Sequence, residues 1–240
     1  MTTIPAGLAL ADARLQHAAR LFGVQRRYFD LREYMRAKAE KLDLSENARL
    51  GVIFVHVPKC AGTSITRQVT IAHWHRSAQY YRWADPALFE RAYTFGFVRN
   101  PHDRFVSAFH YLTSEDASAR DKRFAAGALG AFKDFRAFAA ALDTKGVRDR
   151  ALGWLHFLPQ TYFLCDAAGR VLVDYVGRTE RFADDIDAIN GATTLALENQ
   201  RHRHVPREPF ADFYTPATAR LIADLYADDF ERFGYPTDPF

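Results

Sequence analysis

The stretch that most constrains this chain is Gly51-Val-Ile-Phe-Val-His-Val57 followed at once by Pro58-Lys-Cys-Ala-Gly-Thr-Ser64. The first half is a largely apolar, mostly β-branched run broken only by His56. Such a run reads as a strand buried on both faces, which places it in a parallel sheet with covered faces. The second half is a loop, 58–63, feeding a helix expected over 64–74. Backbone N–H groups at a helix start form an anion site. Gly62 permits close approach of an anion to the backbone, Lys59 adds a point charge, and Thr63 and Ser64 add hydroxyl donors. The order is not that of a Walker A loop, where the lysine stands just before the hydroxyl residue. The same stretch also reads as an ordinary strand-to-helix turn with a capping threonine.

A second anion-binding pattern follows forty positions later. Tyr93–Val98 reads as another buried strand, and Phe97-Val-Arg99-Asn-Pro-His-Asp-Arg104-Phe-Val-Ser107 continues it. Arg99 falls at the carboxyl end of that strand, where open α/β sheets bind ligands. Asn100 reads as an N-cap with Pro101 at the first helical position and Asp103 at the third. The following helix buries Phe105, Phe109 and Leu112, which leaves Ser107 on another face, able to join Arg99 in a phosphate clamp.

The rest of the chain agrees with a single α/β domain carrying a helical appendage. Residues 8–22 (Leu8, Ala11, Leu15, Ala18, Phe22) and 25–42 (Tyr28, Leu31, Met35, Ala39, Leu42) show helical spacing, predicting an N-terminal extension over 1–50 that packs or pairs with a second copy. Helices are expected at 131–142, 180–190 and 216–232, and strands at 162–165 and 171–176. The expected architecture is a three-layer, P-loop-like domain over 51–240, with a central parallel sheet flanked by helices. Lys and Arg total 32 against 29 Asp and Glu, too balanced for a dedicated nucleic-acid binder, although a pI near 8.9 leaves room for a local basic pocket. Two cysteines, Cys60 and Cys165, match neither a disulfide scaffold nor a zinc motif. No apolar run reaches the roughly 18 residues of a membrane span, and residues 1–20 lack the basic start of a signal peptide. The expectation is a cytoplasmic protein.

Together the two segments resemble the PAPS-dependent sulfotransferases of family 2, the carbohydrate type; PAPS is 3′-phosphoadenosine 5′-phosphosulfate. VHVPKCAGTSI resembles that family's 5′-phosphosulfate loop and FVRNPHDRFVSAF its 3′-phosphate motif, in the same order and spacing. HFLPQTYFL (156–164), DYVGRTERFADDI (174–186) and the segment 214–236 are similar to its later parts. The resemblance implies that the loop Pro58, Lys59, Cys60, Ala61, Gly62, Thr63 and Ser64 holds the 5′-phosphosulfate, and that Arg99 and Ser107 hold the 3′-phosphate. Cys60 stands where many members carry Thr or Ser, and His102 where an aromatic is common. The implied donor is PAPS, giving 3′,5′-ADP with no metal, and the implied acceptor is a hydroxyl on a carbohydrate or glycan-like molecule. Without a membrane anchor, the expected relative is a bacterial soluble member.

Sulfuryl transfer to an alcohol needs a base for the hydroxyl proton and a positive field at the leaving phosphate oxygen. Lys59 and the loop amides suit the second task. For the first, His75-Arg-Ser-Ala best matches the family's histidine between the two motifs, with His73 the near alternative. His156 is a further acceptor-site candidate, and Arg201–His204 reads as either an anion contact or a solvated loop. Segments 115–130 and 143–156 are expected as loops that wall the acceptor pocket. Cys60, beside Lys59 at a helix start, could have a lowered pKa; loop packing is the simpler role. Two rival readings remain. One is a P-loop nucleotide kinase, with Val171-Leu-Val-Asp174 as a Walker B strand; the other is a non-catalytic nucleotide-binding module.

Overall fold

The computed structural model describes residues 26–40, 42–72, 74–199 and 208–240. The expected helix over 8–22, His73 and the Arg201–His204 segment lie outside the described residues. Three strands form a parallel sheet in the order β1 (Val52–Val55), β2 (Tyr93–Val98), β3 (Tyr175–Arg178). The register pairs Val52 with Tyr93 and Phe95 with Tyr175. Both apolar strands are buried as their sequences require: Val52, Ile53, Phe54, Val55, Phe95 and Phe97 have almost no exposure.

Helices cover the sheet. On the amino-terminal side are α1 (26–39), α2 (Ser45–Leu50), α3 (Gly62–Thr66), α4 (Ala78–Ala84) and α5 (Pro86–Arg91). Then come α6 (Pro101–Leu112), α7 (Ala119–Ala128), α8 (Phe135–Ala141), α9 (Lys145–Leu152), α10 (Gln160–Leu164), α11 (Phe182–Ala192), α12 (Pro216–Leu225) and α13 (Ala227–Phe233). One apolar core lies around the sheet. A second, aromatic core joins α6, α8 and α12 through Phe105, Phe109, Phe135, Phe138 and Tyr226. The expected cap of α6 is present: the Asn100 side chain accepts from the amides of His102 and Asp103. His102 is fully buried; it fills its aromatic position against Tyr214 and Phe230, with Nε2 on the Ala219 carbonyl.

Five expectations are corrected. Residues 160–164 form a helix instead of a strand at 162–165, because the buried Asp229 carboxylate accepts from the amides of both Gln160 and Thr161 and caps them. The third strand starts at Tyr175, so Val171 keeps only an isolated bridge to Cys165. The helix after the first loop ends at Thr66, and the single helix expected over 216–232 breaks at Tyr226. Segments 115–130 and 143–156 are largely helical, as α7 and α9.

Helix α1 docks on the domain with an unexpected face. Phe29 packs edge-on against Tyr162, and Arg26 donates to the Thr161 and Cys165 carbonyls. Buried Glu33 accepts from the Ser77 amide and lies 3.6 Å from Arg76. Tyr28, Leu31 and Met35, the series that predicts the helix, point outward with 63%, 59% and 62% exposure.

Candidate functional site

A cleft of about 380 Å³ opens beyond the carboxyl ends of the three strands, within the roughly 300–1,000 Å³ range of small-molecule sites. Each strand feeds it: the loop after β1 supplies His56, Lys59 and Ala61 through Ser64, the segment after β2 supplies Arg99, Asp103 and Ser107, and that after β3 supplies Thr179 and Glu180. Parallel strands aim their following loops at one edge, so ligand-binding residues far apart in sequence meet there.

The first loop is held in a strained shape. Lys59 and Ala61 have φ of 68° and 56°, a region costing roughly 1–2 kcal/mol for a side chain with Cβ. The strain is held from beneath. Buried Arg104 donates from Nε to the Pro58 carbonyl at 3.0 Å, and Arg99 donates from Nη1 to the Lys59 carbonyl at 3.4 Å. The Cys60 thiol donates to Gln160 Oε1 at 3.3 Å. Left-handed residues alternating in a turn cluster N–H groups into an anion-binding concavity.

Gly62 has a second reason to lack a side chain. A Cβ there would lie 1.7 Å from His56 Nε2. The His56 ring occupies that space and rests 4.1 Å from the His75 ring.

Cys60 is buried under the loop, and burial pushes its thiol up to about 12. This corrects the expectation of a lowered pKa; the helix start does not reach a thiol turned into the core. Its side chain and that of Pro58 do not line the cleft, whereas Lys59, Ala61, Gly62, Thr63 and Ser64 do.

Gln160 joins the two motif segments. Its Oε1 accepts from the Arg99 amide at 2.8 Å as well as from Cys60, and its Nε2 donates to the Arg99 carbonyl at 2.9 Å. Arg99 also bonds Asp103 through Nε at 2.5 Å. Asp103, Ser107 and Tyr111 are four residues apart on α6, and all three face the cleft. That spacing could have added Asp103 and Tyr111 to the expected Ser107.

His75 stands in the same cleft. Its Nδ1 is 3.0 Å from the His56 carbonyl. A carbonyl only accepts, so Nδ1 carries the proton and Nε2 keeps the lone pair in the neutral ring. Burial is the main cause that lowers the His75 pKa to about 4, reinforced by His156 and Lys59 and opposed by the His56 bond and Asp121. The ring is therefore neutral near pH 7. His156 also lines the cleft, its ring centroid 6.0 Å from that of His75. Lys59 Nζ lies 4.2 Å from the centre of the Tyr111 ring. Asp121, which no sequence signal singled out, accepts from the Tyr111 hydroxyl and pairs with His156.

Asp174, the acid of the kinase reading, is at the opposite end of the sheet. It accepts from the Thr94 amide and hydroxyl, both at 2.8 Å, at the start of β2 and just before β3. It cannot serve a cleft beyond their carboxyl ends. Among the described residues no group of His, Cys, Asp and Glu is arranged to hold a metal ion, and no helix is long and apolar enough to cross a membrane.

The cleft thus combines a strained, lysine-bearing loop after β1 with an arginine–serine pair after β2, the order and spacing that the sequence motifs carry. No curated protein and no solved structure matches the chain. The sulfotransferase family model matches it over residues 46–236, from α2 through the end of α13 and so across every strand and both motif segments. On that match the chain belongs to the sulfotransferase family, as a family 2 member.

Proposed function

We propose that this protein transfers a sulfuryl group from PAPS to a hydroxyl of a carbohydrate or glycan-like acceptor, with His75 as general base. The observation that carries this reading is the meeting, in one cleft, of two anion-binding poles and a neutral imidazole with a fixed tautomer.

The residues fit a donor with phosphate-type groups at both ends. The loop around Lys59, Gly62, Thr63 and Ser64 offers amides, hydroxyls and a cation to a phosphosulfate. Arg99 and Ser107 offer a guanidinium and a hydroxyl to a 3′-phosphate. In the transfer, the bond from sulfur to the bridging phosphate oxygen breaks as a bond from sulfur to the acceptor oxygen forms. The acceptor proton goes to His75 Nε2, and the charge left on the phosphate is held by Lys59 and the loop amides. No step calls for a metal ion.

The exposed series Tyr28, Leu31 and Met35 on α1 supports a homodimer paired through the N-terminal helices, since apolar side chains grouped on one helix face favour a partner. Two free, buried cysteines fit a reducing cytoplasm.

Calorimetric titration with 3′,5′-ADP tests the donor site, with 5′-AMP and Mg-ATP as controls. Submillimolar binding of 3′,5′-ADP without metal, and much weaker binding of 5′-AMP, is expected. Preference for Mg-ATP, or no nucleotide binding, overturns the reading.

A further inference from the structure

Helix α1 buries a carboxylate that no step of the transfer uses. Glu33 is 5% exposed, whereas Leu31 and Met35 on the same helix face outward. Burial raises the Glu33 pKa, and Arg76, the Ser77 amide, Arg36 and Arg32 offset that only in part. Buried ion pairs seldom add net stability, so seating α1 on the domain would be served better by an apolar side chain. The helix already has such seats: Phe29 lies edge-on to Tyr162 of α10, and Tyr34 edge-on to Trp83 of α4.

What Glu33 reaches is the stretch that carries His75. Residues 74–77 belong to neither helix nor strand, so no regular ladder of backbone bonds fixes them. Glu33 Oε2 accepts from the Ser77 amide at 3.4 Å, and Oε1 lies 3.6 Å from Arg76 Nη1. Arg76 Nη2 donates to Glu40 Oε2 at 3.0 Å, just past the end of α1, and the guanidinium lies 5.1 Å from the centre of the Tyr80 ring. The two residues after His75 are thus tied to α1, while the His75 ring is tied to the end of β1 by the bond from Nδ1 to the His56 carbonyl. A ring aimed by one hydrogen bond keeps its direction only while its backbone is held. The helix lies outside residues 46–236, which the family model matches, so this mounting comes from a part of the chain beyond that match.

We propose that Glu33 is the positioning residue for His75: its carboxylate fixes Arg76 and Ser77 and thereby holds the imidazole on the His56 carbonyl, with the lone pair on Nε2. This rests on His75 as the base proposed above and adds α1 to the catalytic apparatus. Glu33 itself touches no substrate and moves no proton.

The test reads the His75 ring directly in the full-length protein, with and without saturating 3′,5′-ADP. Long-range proton–nitrogen spectra of the wild type at neutral pH should show His75 as one tautomer, Nδ1–H. Glu33→Gln keeps the size of the side chain and an oxygen for the Ser77 amide but removes the charge opposite Arg76. It should add a His75 population with the proton on Nε2, and Arg76→Gln should do the same. The two changes together should add little beyond either, since they break one link. Affinity for 3′,5′-ADP should stay within about twofold of the wild type in all three, because neither side chain lines the cleft. Phe29→Leu loosens α1 at its seat on α10; it should lower the melting temperature and leave His75 as Nδ1–H. A merely structural Glu33 would behave like Phe29 and move only the melting temperature. A single Nδ1–H tautomer retained in either Glu33→Gln or Arg76→Gln, or the same mixture in Phe29→Leu, overturns the proposal. A wild type with its His75 proton on Nε2 overturns the base reading instead, and a wild type that does not bind 3′,5′-ADP overturns the donor reading, so the failures are distinct.

Discussion

Lowering the pH should expose the cost of keeping His75 neutral. Its pKa is about 4 in the folded protein, chiefly through burial, against about 6.5 in an unfolded chain. Between those values the unfolded state binds the extra proton and the folded state does not. Stability from this group is therefore fully present above about pH 6.5 and is lost as pH falls toward 4. The 2.5-unit gap, at about 1.36 kcal/mol per unit, gives roughly 3 kcal/mol. His156, His102 and His110 also have lowered pKa values through burial, so the His75 share must be isolated by difference. His75→Gln keeps an amide that can donate to the His56 carbonyl and removes the titration. Urea denaturation of both proteins from neutral pH down to about 4 should show the wild type losing roughly 3 kcal/mol more than the variant. The same pKa leaves kcat/KM flat from neutral pH to about 5, with an acid limb only near 4. Parallel loss of stability in both proteins would refute the argument, and so would a His75 nitrogen that titrates near 6.5. The ring would then be no more than half-neutral at that pH, and the geometry at His56 would not be what sets its proton.

Other perturbations separate the parts of the cleft. Lys59→Ala and Arg99→Ala should each weaken 3′,5′-ADP binding by about ten- to a hundredfold, as expected for lost charge-assisted bonds; unchanged calorimetric affinity in both would remove the two anion poles. Gly62→Ala forces the His56 ring away from a Cβ that would lie 1.7 Å from its Nε2. Overpacking of this kind costs about 1–3 kcal/mol, and because His56 holds His75, turnover should fall further than the melting temperature suggests. A variant with wild-type melting and kcat would show that the ring moves freely. Leu31→Glu combined with Met35→Glu should convert a dimer to a monomer in sedimentation, leaving 3′,5′-ADP affinity intact; a wild type that sediments as a monomer refutes pairing through α1.

Much of the cleft was legible because its binding segments are local. A strand, a turn and a helix start within about fifteen residues place Lys59, Gly62, Thr63 and Ser64 together whatever else the chain does, and the same holds for Arg99, the Asn100 cap and Ser107. Elements governed by distant partners were misread. The 160–164 stretch has an apolar, aromatic pattern compatible with a strand, and only the Asp229 carboxylate, about seventy residues away, makes it a helix. Helix α1 shows the same limit. Its spacing is helical, but its buried side is chosen by Tyr162, Ser77 and Arg76 and takes in charged Glu33 while leaving Leu31 and Met35 outside.

By itself the sequence determined the first two parallel strands, the two motif segments that follow them and the edge of the sheet at which they meet. Each follows from burial along a short apolar run or from backbone groups left open at a helix start. The tertiary structure alone decided which way the side chains titrate and which protons they hold. Cys60 becomes an inert buried thiol because the loop turns it under, toward Gln160. His75 becomes a neutral ring because it is buried, and the His56 carbonyl that reaches it decides which nitrogen keeps the lone pair. His156 comes to face a carboxylate because α7 delivers Asp121, a residue without a motif of its own. Protonation depends on burial and on the nearest partner in space, and neither is a property of a short stretch of chain.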